Sequence, residues 1–276
     1  MNNNGTNDAR QQQREQQQRL EGRMALVDNI FVVMSGKGGV GKSTVAVNLA
    51  AELQRRGHST GLLDSDMHGP STPTMLSMQG SEVFSTGNAL QPPEHESGLS
   101  VMSIGFLTEG ENDAVIWRGP MKMNVLHQIL ADVEWGELDY LVIDLPPGTG
   151  DEPLSLCQML PHITGAIVVT TPQQVALSDV RRCINFCREL DLEVTGMVEN
   201  MSGFICPHCG ENSNIFGRGG GRELARQMDI PFLGDAPLDP RMVGATDRGE
   251  PYLEKYPDSA LAERFSEMAR NIEQSL

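Results

Sequence analysis

From residue 28 onward, short and almost unbroken apolar runs alternate with longer segments whose apolar positions recur every three or four residues. Runs of the first kind read as strands buried on both faces, and segments of the second kind read as amphipathic helices. The pattern predicts strands over 30–34, 60–63, 101–104, 140–143, 166–170, 193–198 and 231–233. It predicts helices over 43–56, 121–133, 175–190, 221–228 and 259–276, the last with Leu261, Phe265, Met268, Ile272 and Leu276 on one face. Strands that alternate with helices imply a single doubly wound α/β domain, its mostly parallel sheet covered by helices on both faces. No internal repeat and no long Pro/Gly/Ser linker divides the chain, and the polar stretch 80–97 reads as an insertion or long loop. Residues 1–22 are rich in Asn and Gln and lack apolar periodicity, so they are expected to be a disordered tail, or at most a frayed helix, ahead of a domain over 23–276.

Composition narrows the partners. The chain has 276 residues, 39% of them hydrophobic, and no apolar run near the ~18–20 residues that would cross a bilayer. The formal net charge is −16, with four lysines, Lys37, Lys42, Lys122 and Lys255. That balance argues against nucleic acid and against an anionic membrane surface, both of which call for clustered basic charge. The N-terminus has no apolar signal-peptide core, so the cytosol is the expected compartment. Five cysteines without a secretion signal do not read as a disulfide framework.

Two of the four lysines fall in one glycine-rich motif, Gly36-Lys37-Gly38-Gly39-Val40-Gly41-Lys42-Ser43-Thr44, between the first strand and the first helix. This is a phosphate-binding loop in its required context. Glycines allow backbone N–H groups to turn inward around phosphate oxygens, and the helix N-terminus adds its dipole. Lys42 is expected at the β- and γ-phosphates and Ser43 on Mg²⁺. The spacing, with Lys37 as an extra lysine, resembles the deviant Walker A motif of MinD and ParA ATPases, the nitrogenase iron protein and the Mrp-type carriers. That resemblance implies that Lys37 reaches across a dimer to the partner's nucleotide and supplies transition-state charge.

Carboxylates follow at two strand ends, where a doubly wound sheet opens its ligand crevice. The second strand closes in Asp64-Ser65-Asp66, and by the same resemblance Asp64 serves the metal side and Asp66 positions the attacking water. Strand-end capping is the plainer role for such a pair. The run Leu141-Val142-Ile143-Asp144 fits a Walker B strand, with Asp144 holding Mg²⁺, and is followed at once by a Pro/Gly loop, Pro146-Pro147-Gly148-Thr149-Gly150-Asp151.

The remaining chemistry lies in Cys206-Pro207-His208-Cys209. Three uses fit: a redox pair, a zinc knuckle or an iron–sulfur ligand set. A redox pair would start a helix, and Gly210, Asn212, Ser213 and Asn214 make poor helix sequence. Zinc and a Cys₄ cluster both need four ligands, so two chains would have to pair, and ligand count does not choose between them. His208 between the cysteines more simply shapes the turn. Cys157, Cys183 and Cys187 read as helix or core residues.

Taken with Asp66-Met67-His68-Gly69-Pro70-Ser71, Trp117-Arg118-Gly119-Pro120-Met121 and Glu199-Asn200-Met201-Ser202, these motifs resemble the Mrp (ApbC) group of iron–sulfur cluster carrier ATPases over residues 25–255. The resemblance implies a slow, ATP-hydrolysing homodimer that bridges a labile [4Fe-4S] cluster through Cys206 and Cys209 of both subunits. It implies cluster transfer to apo-proteins from a separate donor, coupled to ATP and Mg²⁺, within a cluster loop over 199–217. Asn200 and the loop 235–240 would contact adenine. Residues 1–30 hold no Cys, so the second, N-terminal cluster of some relatives is not expected, and 30 polar residues do not make the extra domain of others. The alternatives are a MinD/ParA-like positioning ATPase, for which the balanced charges of the last helix (Arg264 and Arg270 against Glu263, Glu267 and Glu273) give little support, and a zinc-bridged regulatory ATPase.

Overall fold

The computed structural model describes residues 3–67, 69–87, 89–107, 119–206, 208–209 and 211–276. Helix α1 (Asn3–Met24) leads into β1 (Val27–Ser35), α2 (Lys42–Arg55), β2 (Thr60–Asp64) and a short α3 (Thr72–Met75). A small antiparallel hairpin, β3 (Phe84–Thr86) and β4 (Ala89–Gln91), fills the stretch expected to be a loop. Then come β5 (Ser100–Ser103), α4 (Gly119–Asp132), β6 (Leu138–Asp144), α5 (Asp151–Met159), β7 (Gly165–Thr170) and α6 (Gln174–Glu189). The chain closes with β8 (Val194–Ile205), β9 (Asn212–Ser213), α7 (Gly220–Met228), β10 (Phe232–Leu238), α8 (Pro240–Asp247), α9 (Tyr252–Lys255) and α10 (Ala260–Glu273).

Seven strands form one parallel sheet in the order β10-β8-β7-β1-β6-β2-β5, with β9 paired antiparallel to the end of β8. Strand alternation explains why the runs are continuously apolar. Ile30, Val32 and Met34 of β1 join Leu141 and Ile143 of β6 in the core on one face, under α1 and α4–α7. Phe31 and Val33 join Tyr140 and Val142 in the core on the other, under α2 and α8–α10. The order reverses between β1 and β7, and the crevice outside the strand ends at such a reversal is where this architecture takes ligands.

Several elements depart from the expectations. The segment expected to be disordered, or at most a frayed helix, forms α1, and its last turns are docked: Leu20 and Met24 are fully buried, and Arg19 and Arg23 pair with Asp132 and Glu134. Two apolar residues four apart suffice to anchor one helix end, too few to register as a period. Helix α5 escapes a periodicity reading because it is short and carries Pro153 in its first turn, where proline's missing N–H costs nothing. Helix α8, started by an Asp239 cap and Pro240, is missed for the same reason of length. Strand β8 runs to Ile205 instead of ending at 198, because its outer half goes on pairing with β10 as far as Phe204 and then with β9.

Candidate functional site

The phosphate loop sits at the reversal point. Gly39 and Gly41 have positive φ, 79° and 78°, which only glycine adopts without strain. Gly36 lies so close to the backbone of Asp179 on α6 that a Cβ would overlap it. Gly41 caps α2 with no side-chain acceptor, leaving the first-turn N–H groups for an anion. The Ser35 hydroxyl donates to Lys37 O at 2.9 Å, and the Gly148 N–H donates to Ser35 O at 2.8 Å, so the Pro/Gly loop after β6 is tied to the phosphate loop. Gly38 and Gly39 are exposed at the tip, and Thr44, in the first turn of α2, accepts from Asn48 through its carbonyl.

Lys42 and Asp144 are both buried and pair at 2.6 Å between Nζ and Oδ1. Lys42 Nζ also lies 3.5 Å from Ser43 Oγ, and the Ser43 hydroxyl bonds to the Asp144 carboxylate. Asp144 Oδ2 is buried with no partner among the described residues. Burial raises the Asp144 pKa above the usual carboxylate range even though Lys42 and Ser43 pull it down. Asp64, directly opposite Asp144 in the β2–β6 register, is pushed up to about 7, first by burial and then by the Asp144 charge. Two buried carboxylates against one lysine leave excess negative charge, and a divalent cation at the open Asp144 oxygen would relieve it. Ser43 and Asp144 therefore form a donor set that fits Mg²⁺.

Asp64, expected on the metal side, also accepts several hydrogen bonds. Its Oδ2 accepts from Thr72 N at 3.1 Å and Ser103 Oγ at 3.4 Å, and its Oδ1 accepts from Asp66 N at 3.2 Å. It holds the turn 65–72 from behind. Asp66, carried by that turn, is half-buried and close enough for its charge to raise Asp144. The Lys37 side chain is half-exposed and makes no ion pair among the described residues. His68, Trp117, Arg118, Pro207 and Gly210 of the sequence motifs lie outside the described residues.

The cysteine pair sits at the tip of the β8–β9 hairpin, closed by Cys206 N donating to Glu211 O at 3.0 Å. Backbone N–H groups of Cys209 and His208, followed by the Cys209 thiol, hydrogen-bond to Cys206 and lower its pKa. Cys209 is exposed. Among the described residues no group of three or more His, Cys, Asp or Glu side chains could hold a metal, so one chain offers two thiolates and no complete site. The other cysteines lie in or against the core. Burial pushes the Cys157 thiol up to about 12, and Cys183 and Cys187 are fully buried, with Cys187 Sγ 3.7 Å from Met34 Sδ. Cys183 and Cys187, one helical turn apart, are core residues of α6, and Cys157 packs against the core.

Two roles lay beyond sequence reasoning. Glu199, wholly buried, accepts from the N–H groups of Gly219 and Gly221 and from the Ser202 hydroxyl, so it fixes the start of α7 beside the hairpin base. Asn200 Nδ2 donates to Val40 O at 2.9 Å across 160 residues of sequence. Only the bare string Glu-Asn-Met-Ser at a strand end signalled either. The expected adenine loop 235–240 holds Asp235, paired with Arg218 and Arg222, and Asp239, which accepts from Tyr252 OH.

This sheet, with a lysine-bearing glycine loop at its reversal and an acid at the end of the neighbouring strand, defines a P-loop nucleoside triphosphatase of the MinD/ParA architecture. Solved structures agree: MinD from Pyrococcus furiosus, 22% identical, superposes with a TM-score of 0.66 over 90% of this chain and 100% of that one. A nucleotide-binding protein from Archaeoglobus fulgidus, in complex with ADP, matches at 38% identity and a TM-score of 0.76 over 85% of this chain and 92% of its own. The family model described as ParA, NUBPL iron-transfer P-loop NTPase, matches residues 26–273, and the chain belongs to that family. Relatives named cytosolic Fe-S cluster assembly factor NUBP2 are 48% identical over 255 residues in Bos taurus, covering 91% of this chain and 94% of the relative. The Homo sapiens protein of that name is 47% identical over the same shares.

Proposed function

We propose that this chain is an ATP-dependent iron–sulfur cluster carrier of the cytosol that holds a labile [4Fe-4S] cluster between two copies of itself and passes it to apo-proteins. The observation that carries the reading is the pair of half-buried Cys206, its thiolate stabilised by backbone N–H groups, and exposed Cys209 at a hairpin tip, with no group of three or more potential ligands among the described residues. Two such tips related by a two-fold axis supply four thiolates. The cargo is bound at the surface, where a recipient's thiolates can reach it.

Nucleotide chemistry is assigned to the phosphate loop, which meets β8 at Asn200. The glycine loop and the α2 N-terminus hold the phosphates, and Lys42 offsets their charge. Ser43 and Asp144 would hold magnesium, which would supply charge neutralisation beside the phosphates. Asp66 orients the attacking water, and Asp64 fixes the turn that carries Asp66. Lys37 of one subunit reaches the partner's γ-phosphate, so hydrolysis requires the dimer and is slow. ATP binding and hydrolysis then gate the dimer state and with it cluster retention.

Anaerobic reconstitution with iron and sulfide, followed by incubation with a cluster-free [4Fe-4S] protein, tests the proposal. Broad visible absorption should appear on this chain and then move to the acceptor. Stoichiometric zinc in the purified protein without iron–sulfur absorption would favour a zinc-bridged ATPase instead.

A further inference from the structure

The phosphate loop and the cysteine hairpin are joined by one short stretch of chain. Asn200 is buried at the base of the outer half of β8, and its amide donates to the carbonyl of Val40. A trans peptide is planar, with its C=O and N–H pointing in opposite directions. Holding the Val40 carbonyl therefore fixes which way the Gly41 N–H points, and that N–H belongs to the phosphate cradle. The contact is tight: a Cβ on Gly41 would overlap Asn200 Nδ2 and touch Met201 Cε at 3.7 Å.

Beyond Asn200 the strand is unusually constrained. Met201 has φ 57° and Gly203 has φ 80°, left-handed conformations within a strand. The pairing with β10 shifts register between Ala236 and Leu238 at the same level. Phe204 then pairs with Ser213, and Cys206 closes the hairpin on Glu211. Glu199, on the other side of Asn200, is anchored to Gly219 and Gly221. With that anchor fixed, a turn of the Val40–Gly41 peptide displaces residues 200–206 with it.

We propose that Asn200 is a positioning residue that ties the setting of the phosphate loop to the setting of the cysteine hairpin. It presets the Gly41 N–H for phosphate, and it transmits phosphate occupancy along 201–206 to the two thiols. This rests on the nucleotide-binding half of the function proposed above and not on what the cysteines carry.

The test combines calorimetric binding with alkylation of the apo-protein. Mg-ATP and Mg-tripolyphosphate are titrated into wild type, N200A and N200D, and iodoacetamide labelling of Cys206 and Cys209 is followed by mass spectrometry with and without saturating Mg-ATP. In wild type, Mg-ATP should change the labelling rate at least about threefold. N200A should bind both ATP and tripolyphosphate about tenfold more weakly, on the scale of one lost hydrogen bond. At saturating Mg-ATP its labelling rate should no longer respond. N200D has the same size and lacks the amide donor, so it should match N200A and keeps the test decisive if N200A fails to fold. A loss confined to ATP, with tripolyphosphate binding intact, would assign Asn200 to adenine and overturn the proposal. So would a nucleotide-dependent labelling rate that survives in N200A, wild-type behaviour in N200D, or a wild-type rate that ignores nucleotide.

Discussion

Lys42 Nζ stands 2.6 Å from Asp144 Oδ1, and both groups are buried. The lysine proposed for the phosphates is thus held by the carboxylate proposed for magnesium. Removing it does two things at once. Lys42→Ala should abolish Mg-ATP binding by calorimetry. It should also destabilise the nucleotide-free protein by about 3–5 kcal/mol in urea unfolding, the usual cost of stranding a buried charge. An unchanged ATP affinity would contradict the assignment of this loop.

The second lysine is expected to behave otherwise. Lys37 makes no ion pair among the described residues and is half-exposed, so Lys37→Ala should keep its fold and its ATP affinity. Hydrolysis should fall by more than about 100-fold, in line with charge supplied to a transferring phosphoryl group from a partner. Mixing Lys37→Ala with a P-loop-defective Lys42→Ala chain should restore activity to at most one site per mixed dimer, because the Lys42→Ala chain still supplies Lys37 to its partner's intact site. Wild-type turnover in Lys37→Ala would remove the role across the dimer.

The pairing of acids gives a pH dependence. Asp64 has its pKa pushed from 3.8 up to about 7 by burial and by Asp144. The folded state therefore binds a proton that the unfolded chain releases, and stability of the nucleotide-free protein falls as pH rises from about 4 to about 7. At ~1.4 kcal/mol per pKa unit the effect is at most about 4 kcal/mol. Thermal melts across that range should show the decline, and Asp64→Asn should flatten it. A stability that rises through this window in wild type, and equally in Asp64→Asn, would contradict the placement of Asp64.

How much of this was legible in the sequence differs by element. The strands of the sheet centre announced themselves because burial on both faces leaves no polar positions in Phe31–Val33 or Val142. The phosphate loop and Asp144 were legible because their chemistry needs fixed residue types at fixed spacing. Asp64 was legible as an acid at a strand end, yet its work on Thr72 N and Ser103 depends on which way the turn folds back. The reach from Asn200 to Val40 is set by strand order alone, and no local pattern encodes it.

Helix α1 illustrates the same limit. Its polar composition hides the fact that Leu20 and Met24 are fully buried against the body of the protein. Leu20→Ala should cost about 2–5 kcal/mol in urea unfolding, as for other buried leucines. A deletion of residues 1–15 should cost less than about 0.5 kcal/mol, since apart from Met1 and Ala9 the sequence it removes is polar or glycine. An equal response to both changes would contradict the docking of this helix by its last turns.

The thiols offer a direct readout of local environment. At neutral pH Cys206 should be alkylated fastest, because two backbone N–H groups stabilise its thiolate. Cys157 and Cys183, raised by burial and by the neighbouring thiol respectively, should label only on unfolding. Fast labelling of the buried cysteines in the native protein would contradict that division.

Anaerobic native mass spectrometry of the reconstituted protein tests the central claim most directly. The account predicts one species of two chains carrying about four irons and four sulfides, on the four-thiolate ligand count. It predicts that Cys206→Ala, which removes two of the four ligands through the two-fold axis, carries none while still binding Mg-ATP. A complete cluster on a single chain, or full loading of Cys206→Ala, would contradict it.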